Sequence, residues 1–295
     1  MSAETPWDSG RLRAAKGGQR LLFGQMYEDA EIERDAFRGR GRVFCIASAG
    51  CTAMRLCVDH EVVACDINPV QLAYAERRVR GEAPREGDVE RVMALARAFM
   101  PLVGWRRGAI RSFLALSDTS EQVKFWQARL NTRRFRAGFD ALMSPVLLRA
   151  VYAAPLLASL PARFGPVLRK RLERGFGLHA NATNPYAAAL LLGVMNNEAC
   201  SQTAGIQFVA GDAATSLESR AAGSFDAFSL SNILDGAESA YRARLSRAVR
   251  RAAGPNAVVV LRSFAEPPPE QTVNLADRDR AMLWGSVQVS EARLF

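Results

Sequence analysis

The residues best placed for chemistry are an acid, Asp66, and a turn of small residues about 20 positions before it. The turn, Ala47-Ser48-Ala49-Gly50, ends one apolar run, and Asp66 ends the next. Small residues let the backbone close around a ligand, and the N–H groups of the following helix point at it. A carboxylate at this offset can accept hydrogen bonds from both ribose hydroxyls of a nucleotide-like cofactor. A plain βαβ unit with a surface acid is the alternative interpretation, because such a turn alone is weak evidence.

Polar residues also precede the first apolar run. Gln25 and Glu28 lie there among aromatic and apolar neighbours, which is unusual for a solvated lead-in. A segment in this position often folds over the cofactor as a lid. Asp29 can instead cap a short helix that turns Ile32 and Phe37 inward. The sequence leaves both interpretations open, a lid and a helix packed on the sheet.

These residues meet only if a sheet aligns the ends of their strands. Strands are predicted near residues 42–50, 61–66, 207–213, 224–232 and 257–263, and a closing strand near 284–289 would complete the sheet. Helical patterns separate them, including one at 70–80 and one that begins at Asn184 with Pro185 one place inside the cap. This order predicts an α/β fold with a doubly wound, mostly parallel, Rossmann-like sheet.

The alternation of strands and helices stops between residues 81 and 181. The sequence there has helical periodicity and no convincing strand. We therefore expect a helical lead-in or lid at 1–40, a cofactor-binding Rossmann-like domain at 41–80 and 182–295, and a helical insertion at 81–181 that faces the acceptor.

The later part of the insertion, residues 141–172, is largely apolar and is interrupted by four prolines. Proline breaks it into helices too short to span a bilayer. Basic residues flank it, among them Arg149, Arg163 and Arg169. Apolar faces with basic neighbours suit an interfacial helix on anionic lipid. A buried helical hairpin explains the same residues.

The amino-acid composition limits which classes of protein remain possible. The chain has 295 residues, of which 49% are hydrophobic and 23% charged, as in soluble globular proteins. Its net charge of +9 allows an anionic partner, but the strong preference for Arg over Lys also fits a GC-rich genome. The five Cys lack C-x-x-C spacing and the two His lie far apart, so we expect no metal site and a reducing cytoplasm. No secretion signal and no spanning helix are apparent.

In their order, these features resemble the class I S-adenosylmethionine-dependent transferases. The resemblance rests on the small-residue turn, the acid after strand two, a Gly-Asp pair after strand three and a Phe-Asp pair opening strand four. It implies that Asp212 bonds the adenine amino group and that Ser231 and Asn232 lie beside the reacting centre. A plain NAD-binding domain would more often show G-x-G-x-x-G at the turn. The expected S-adenosylmethionine-binding residues are Gln25, Ser48, Ala49, Gly50, Asp66, Ile67, Asn68, Asp212, Ala213, Ser231 and Asn232.

A closer resemblance is to the betaine-lipid family, the S-adenosylmethionine:diacylglycerol 3-amino-3-carboxypropyltransferases. The residues that carry it are 23–29, 46–51, 66–69, 184–186 and 225–231, with 125–126 and 132–136 in the insertion. The chain departs from the family at Met26-Tyr27, where a Cys/Trp-like pair is usual, and at 232–235, where a more aromatic stretch is common.

This resemblance implies transfer of the aminocarboxypropyl chain of S-adenosylmethionine, as co-substrate, rather than of its methyl group. A hydroxyl attacks the γ-carbon next to the sulfonium and methylthioadenosine leaves, so the protein supplies position and a proton acceptor. The candidates for these roles are Glu28, Asp29 and Asp235 as proton acceptors, His179 as a base, and Tyr27 or Gln25 at the amino-acid part of the co-substrate.

We therefore expect a cytoplasmic transferase, able to attach to the inner face of the membrane, that acts on a diacylglycerol-like lipid or a small-molecule hydroxyl. A methyltransferase of the same fold that acts on a small metabolite is the alternative. A nucleic-acid-binding protein is the third hypothesis and the least supported, because no motif combines aromatic and basic residues.

Overall fold

A six-stranded sheet forms the centre of the molecule, in the order β3-β2-β1-β4-β5-β6. The computed structural model describes residues 5–8, 18–149, 152–195, 205–267 and 273–295. The strands are β1 (Arg42–Ile46), β2 (Glu61–Asp66), β3 (Ile206–Ala210), β4 (Phe225–Ser229), β5 (Ala253–Ser263) and β6 (Ser286–Glu291). Neighbouring strands pair in parallel except β6, which is antiparallel to β5. The predicted α/β fold with a mostly parallel, Rossmann-like sheet is confirmed.

Helices connect the strands. They are α1 (Glu31–Ala36), α2 (Cys51–Leu56), α3 (Pro69–Val79), α4 (Asp88–Ala98), α5 (Arg107–Leu114), α6 (Thr119–Phe125), α7 (Arg133–Leu142), α8 (Pro145–Leu148), α9 (Ala154–Ser159), α10 (Phe164–Leu178), α11 (Pro185–Leu192), α12 (Ala213–Glu218) and α13 (Ser239–Ala252). Shorter turns of helix lie at Met100–Val103, Trp126–Leu130, Asn181–Thr183 and Ala292–Leu294. The described part of residues 81–181 contains helices and turns and no strand.

Local sequence explains where several helices begin. Asn68 caps α3 and Asn184 caps α11, and in both helices a proline occupies the first turn. Proline is tolerated there because its missing N–H would have no partner within the helix. At the start of α1, the capping position is Ala30 rather than the predicted Asp29, although Oδ1 of Asp29 accepts a hydrogen bond from the N–H of Glu31 at 3.3 Å.

Both faces of the sheet are covered, as a doubly wound fold requires. Val43 and Val62 pack with residues of α1, α2 and α3 on one face. Phe44 and Val63 pack with residues of α12 and α13 on the other. Adjacent residues of each strand thus enter different parts of the core, which explains why the strands read as continuous apolar runs.

The helices between β2 and β3 surround an aromatic cluster. Trp105 stacks on Phe135 with ring centroids 4.3 Å apart, and Trp126 and Phe176 lie 5.0 Å apart. The cluster also includes Met282, from the segment before β6. The helical insertion therefore packs against the C-terminal part of the chain.

The proline-interrupted segment 141–172 is buried only in part, since Val146 and Leu147 of α8 are 73% and 47% exposed. Leu156, Leu168 and Leu172 are each less than 9% exposed, and Arg169 is held by Asp140 in two hydrogen bonds of 2.9 and 2.8 Å. This placement favours the buried-hairpin interpretation for α9 and α10. Among the described residues, no helix is both long and apolar enough to cross a membrane.

Candidate functional site

A cleft crosses the carboxyl ends of β1, β2, β3 and β4, where the strand order reverses between β1 and β4. Ligands of open α/β sheets bind in this crevice. Eight of the eleven predicted cofactor-binding residues line it: Ser48, Asp66, Ile67, Asn68, Asp212, Ala213, Ser231 and Asn232. The fold therefore brings together residues that lie far apart in the sequence.

Asp66 holds the turn that follows β1. Its Oδ2 accepts a hydrogen bond from the N–H of Ser48 and its Oδ1 one from the N–H of Asn68, both at 2.9 Å. Ser48 has a φ of 43°, which is unfavourable for a residue with a side chain, and the bond to Asp66 stabilises it. Burial raises the pKa of Asp66 to about 6. Each carboxylate oxygen can accept a further hydrogen bond, so Asp66 remains able to bind a ribose hydroxyl.

Asn68 and Gln71 fasten the lead-in to the start of α3. Asn68 donates from Nδ2 to the carbonyl oxygen of Arg20 at 2.7 Å. The Oε1 of Gln71 accepts from the N–H groups of Leu22 and Phe23 at 3.0 and 3.1 Å, and its Nε2 donates to the carbonyl of Phe23 at 2.8 Å. Leu22 and Phe23 consequently form part of the cleft wall.

Asp212 caps α12 at the other side of the cleft. Its Oδ2 accepts from the N–H and the hydroxyl of Thr215 at 2.8 and 3.0 Å. Its Oδ1 accepts from the hydroxyl of Tyr241 at 2.5 Å. Oδ2 is thereby fully used, whereas Oδ1 can accept one further hydrogen bond.

The three other predicted cofactor-binding residues do not line the cleft. The carbonyl of Ala49 accepts a hydrogen bond from buried Arg78 at 2.9 Å. Gly50 has a φ of 83°, and a Cβ there would lie 3.3 Å from that of Ala75. Gln25 is buried in the lead-in. Ala49 and Gly50 therefore shape the turn and its packing on α3.

Ser231 connects the cleft to a buried acid, Glu28. The hydroxyl of Ser231 donates a hydrogen bond to Oε1 of Glu28. Burial raises the pKa of Glu28 to about 7, against the opposing effects of Arg262 and Ser231. Its second oxygen, Oε2, has no hydrogen-bond partner among the described residues. A carboxyl group that titrates near neutrality can both accept and release a proton at physiological pH.

Arg262 lies beside Glu28 among three acids. It donates to both oxygens of Glu33, and to Oδ2 of Asp279 at 2.9 Å, while its Nη1 lies 3.6 Å from Oε2 of Glu28. The side chains of Arg262, Glu33 and Asp279 are fully buried. One guanidinium cannot neutralise three carboxylates, so a protonated carboxyl is favoured within the group.

Asp29 and Tyr27 flank Glu28 but do not line the cleft. Asp29 pairs with Arg280 through two hydrogen bonds. Burial alone would raise the pKa of Asp29, but Arg280 outweighs it and lowers that pKa. Tyr27 is buried, which raises its pKa, and its carbonyl accepts from Trp284 at 3.0 Å. This placement indicates structural roles for both residues.

Asp235 and His179, the remaining predicted catalytic residues, also lie outside the cleft. Asp235 accepts from the hydroxyl of Ser263 at 2.5 Å and from the side-chain amide of Asn232 at 3.3 Å, so it orients a cleft residue. His179 follows α10, and burial lowers its pKa. Neither side chain lines the cleft, and their predicted role as bases stays a prediction.

Part of the cleft wall comes from residues that the sequence did not indicate. Trp7 and Phe23 both line the cleft, with ring centroids 6.1 Å apart, and neither was among the predicted cofactor-binding residues. Tyr241 and Gln71 also line it, and no sequence pattern indicated them. Arg262 did carry a signal, because it interrupts the apolar run of β5.

In the described part of the chain, no group of three or more His, Cys, Asp or Glu side chains could hold a metal ion. No family model, no curated protein and no solved structure matches the chain. The function of the cleft is therefore inferred from its own geometry.

Proposed function

We propose that the chain binds S-adenosylmethionine in this cleft and transfers its 3-amino-3-carboxypropyl group to a hydroxyl of a diacylglycerol-like lipid. The observation that carries the proposal is the meeting of Asp66, Asp212 and Ser231, each from the end of a different strand, in one cleft. The resemblance to class I S-adenosylmethionine-dependent transferases implies this arrangement.

The charge of the cleft favours this co-substrate over a dinucleotide. The described wall contains Asp66 and Asp212 and no Arg or Lys, although Arg244, which does not line the cleft, lies 3.6 Å from Oδ2 of Asp212. A dinucleotide would bring an anionic pyrophosphate to this wall, whereas S-adenosylmethionine brings a cationic sulfonium. Attraction to carboxylates in a partly buried cleft favours the cation.

The residues that line the cleft match the chemical groups of S-adenosylmethionine. Asp66 would accept hydrogen bonds from the ribose, and the free capacity of Oδ1 of Asp212 would take the adenine amino group. The aromatic rings of Trp7 and Phe23 would cover the bound molecule.

Glu28 and Ser231 would provide the proton path. When bound, S-adenosylmethionine supplies an electrophilic carbon next to a sulfonium, with methylthioadenosine as the leaving group. Ser231 would accept the proton of the acceptor hydroxyl while its own hydrogen passes to Glu28, to which it already donates. With a pKa of about 7, Glu28 can accept that proton and later release it to solvent.

The decisive experiment uses S-adenosylmethionine labelled either in the carboxyl group or in the methyl group, with vesicles that contain diacylglycerol. We expect methylthioadenosine as the nucleoside product and carboxyl label, without methyl label, in the lipid. Release of S-adenosylhomocysteine would instead identify a methyltransferase. Failure to bind S-adenosylmethionine in calorimetry would overturn the co-substrate itself.

A further inference from the structure

The net charge of the chain is concentrated in its helical insertion. Residues 81–181 contain 17 Arg and Lys against 8 Asp and Glu, a net charge of +9. Since the whole chain also has a net charge of +9, the remaining residues contain 22 of each sign and sum to zero. A genome-wide preference for Arg would affect both parts equally, so it does not explain this separation.

Many arginines of the insertion lack an acidic partner. Arg106, Arg107, Arg133, Arg134 and Arg149 are exposed, and none forms an ion pair within the described residues. Outside the insertion, exposed arginines more often have a carboxylate within reach, as Arg38 does at 3.1 Å from Asp35. The unpaired arginines are therefore available to an external anion.

Large apolar side chains are exposed in the same insertion. The exposed fraction is 58% for Phe99, 74% for Leu102 and 73% for Val146, and Leu95 and Leu147 are exposed as well. The elements that carry the apolar residues are neighbours: α4 contacts the turn Met100–Val103, that turn contacts α7, and α7 contacts α8. We define the docking face as these five apolar residues with the five arginines named above.

We propose that the docking face attaches the protein to a bilayer containing anionic lipid. Its apolar side chains would enter the boundary between headgroups and acyl chains while its arginines contact lipid phosphates. Nucleic acid would satisfy the arginines but leave Phe99 and Leu102 in water. A second copy of the chain would bring two strongly positive surfaces together. This attachment does not depend on the reaction in the cleft, and it would place the protein beside a lipid acceptor.

The test is flotation of the full chain with vesicles of phosphatidylcholine, with or without phosphatidylglycerol. We expect binding to the anionic vesicles at low salt, weakening as salt increases, and none to the neutral ones. Replacing Phe99 and Leu102 with Ser should weaken binding at least tenfold. Replacing Arg106 and Arg107 with Gln should weaken it by about fivefold for each arginine removed.

Matched control residues lie outside the insertion. Val58→Ser and Leu294→Ser replace residues that are 51% and 74% exposed, and Arg38→Gln and Arg80→Gln remove exposed arginines. All four controls should bind vesicles like the wild type.

Two results would overturn the docking face: wild-type protein that stays unbound to anionic vesicles at low salt, or controls that lose binding as strongly as the test variants. Tight, salt-sensitive binding of RNA or DNA without vesicle binding would identify a nucleic-acid surface instead. S-adenosylmethionine affinity, measured on the same variants, should be unchanged. If the wild type binds vesicles but does not bind S-adenosylmethionine, the proposed reaction is refuted and the docking face is not.

Discussion

Ser231 and Glu28, 203 positions apart in the chain, share a hydrogen bond at the edge of the cleft. Ser231 lines the cleft and Glu28 does not, so the serine hydroxyl connects the ligand space to a buried carboxyl of raised pKa. The φ of Ser231 is 52°, and its carbonyl accepts from the N–H of Arg262 at 2.8 Å. The backbone of β5 thus holds the serine in an unfavourable conformation that directs its hydroxyl to Glu28.

The first prediction separates two adjacent acids. Glu28→Gln keeps the size of the side chain but cannot accept a proton, so we expect turnover to fall about 100-fold or more. Asp29→Asn should retain turnover per folded molecule and lower the melting temperature, because Arg280 loses its charged partner. Single-turnover product formation and thermal melts measure the two effects. Full activity of Glu28→Gln would remove Glu28 as the proton acceptor.

The second prediction concerns the ribose contact. Asp66→Asn should weaken S-adenosylmethionine binding by about 1–3 kcal/mol in calorimetry, because hydrogen bonds to a charged acceptor are lost. Asp226→Asn is the matched control, since Asp226 also accepts from two backbone N–H groups, those of Gly41 and Arg42 at 3.1 and 2.9 Å, but at the opposite end of the sheet. The control should lose stability without losing affinity. Equal affinity of both variants would place the co-substrate elsewhere.

The third prediction is a pH dependence of stability. The pKa of Glu28 is about 7 in the folded protein and near 4.5 ordinarily, so the folded state binds more protons between these values. Stability should therefore decrease as pH rises through that range, by up to about 3 kcal/mol from this group. Asp66, with a pKa of about 6, contributes in the same direction.

The measurement is urea unfolding of the wild type and Glu28→Gln at pH 5 and pH 7.5. The variant should lose less stability than the wild type over this interval, because it lacks the titrating group. An identical loss in both proteins would show that Glu28 does not titrate there.

The fourth prediction uses Trp7 as a reporter. Trp7 lines the cleft, whereas Trp105, Trp126 and Trp284 are at most 5% exposed. S-adenosylmethionine should change the tryptophan emission of the wild type, and Trp7→Phe should abolish that change while retaining affinity in calorimetry. Binding without any change in the wild-type emission would contradict the position of Trp7.

The position of the cleft could be predicted from the sequence because one structural rule determines it. Parallel strands end at a common edge, so residues such as Asp66 and Asp212, each following an apolar run, could be expected together. It could not identify the partners of Glu28, since Arg262 and Ser231 come from distant strands. Asp29 is adjacent to Glu28 and also has a carboxyl group. Only the packing shows that this carboxyl group already pairs with Arg280.

Composition also failed to show which apolar residues are exposed. The segment 141–172 is rich in them, and it contains both buried residues, such as Leu156 and Leu168, and exposed ones, Val146 and Leu147. Phe99 and Leu102, in a stretch without unusual composition, remain exposed. Helical periodicity shows which residues share a face and does not show whether another element covers that face.

The contacts of the lead-in impose an order on biosynthesis. Trp284 donates to the carbonyl of Tyr27, Arg280 pairs with Asp29, and Arg262 donates to the carbonyl of Asp29 at 3.1 Å. These three partners leave the ribosome more than 200 residues after the segment they hold. During translation, the lead-in therefore lacks these three partners until most of the 295 residues have been synthesised.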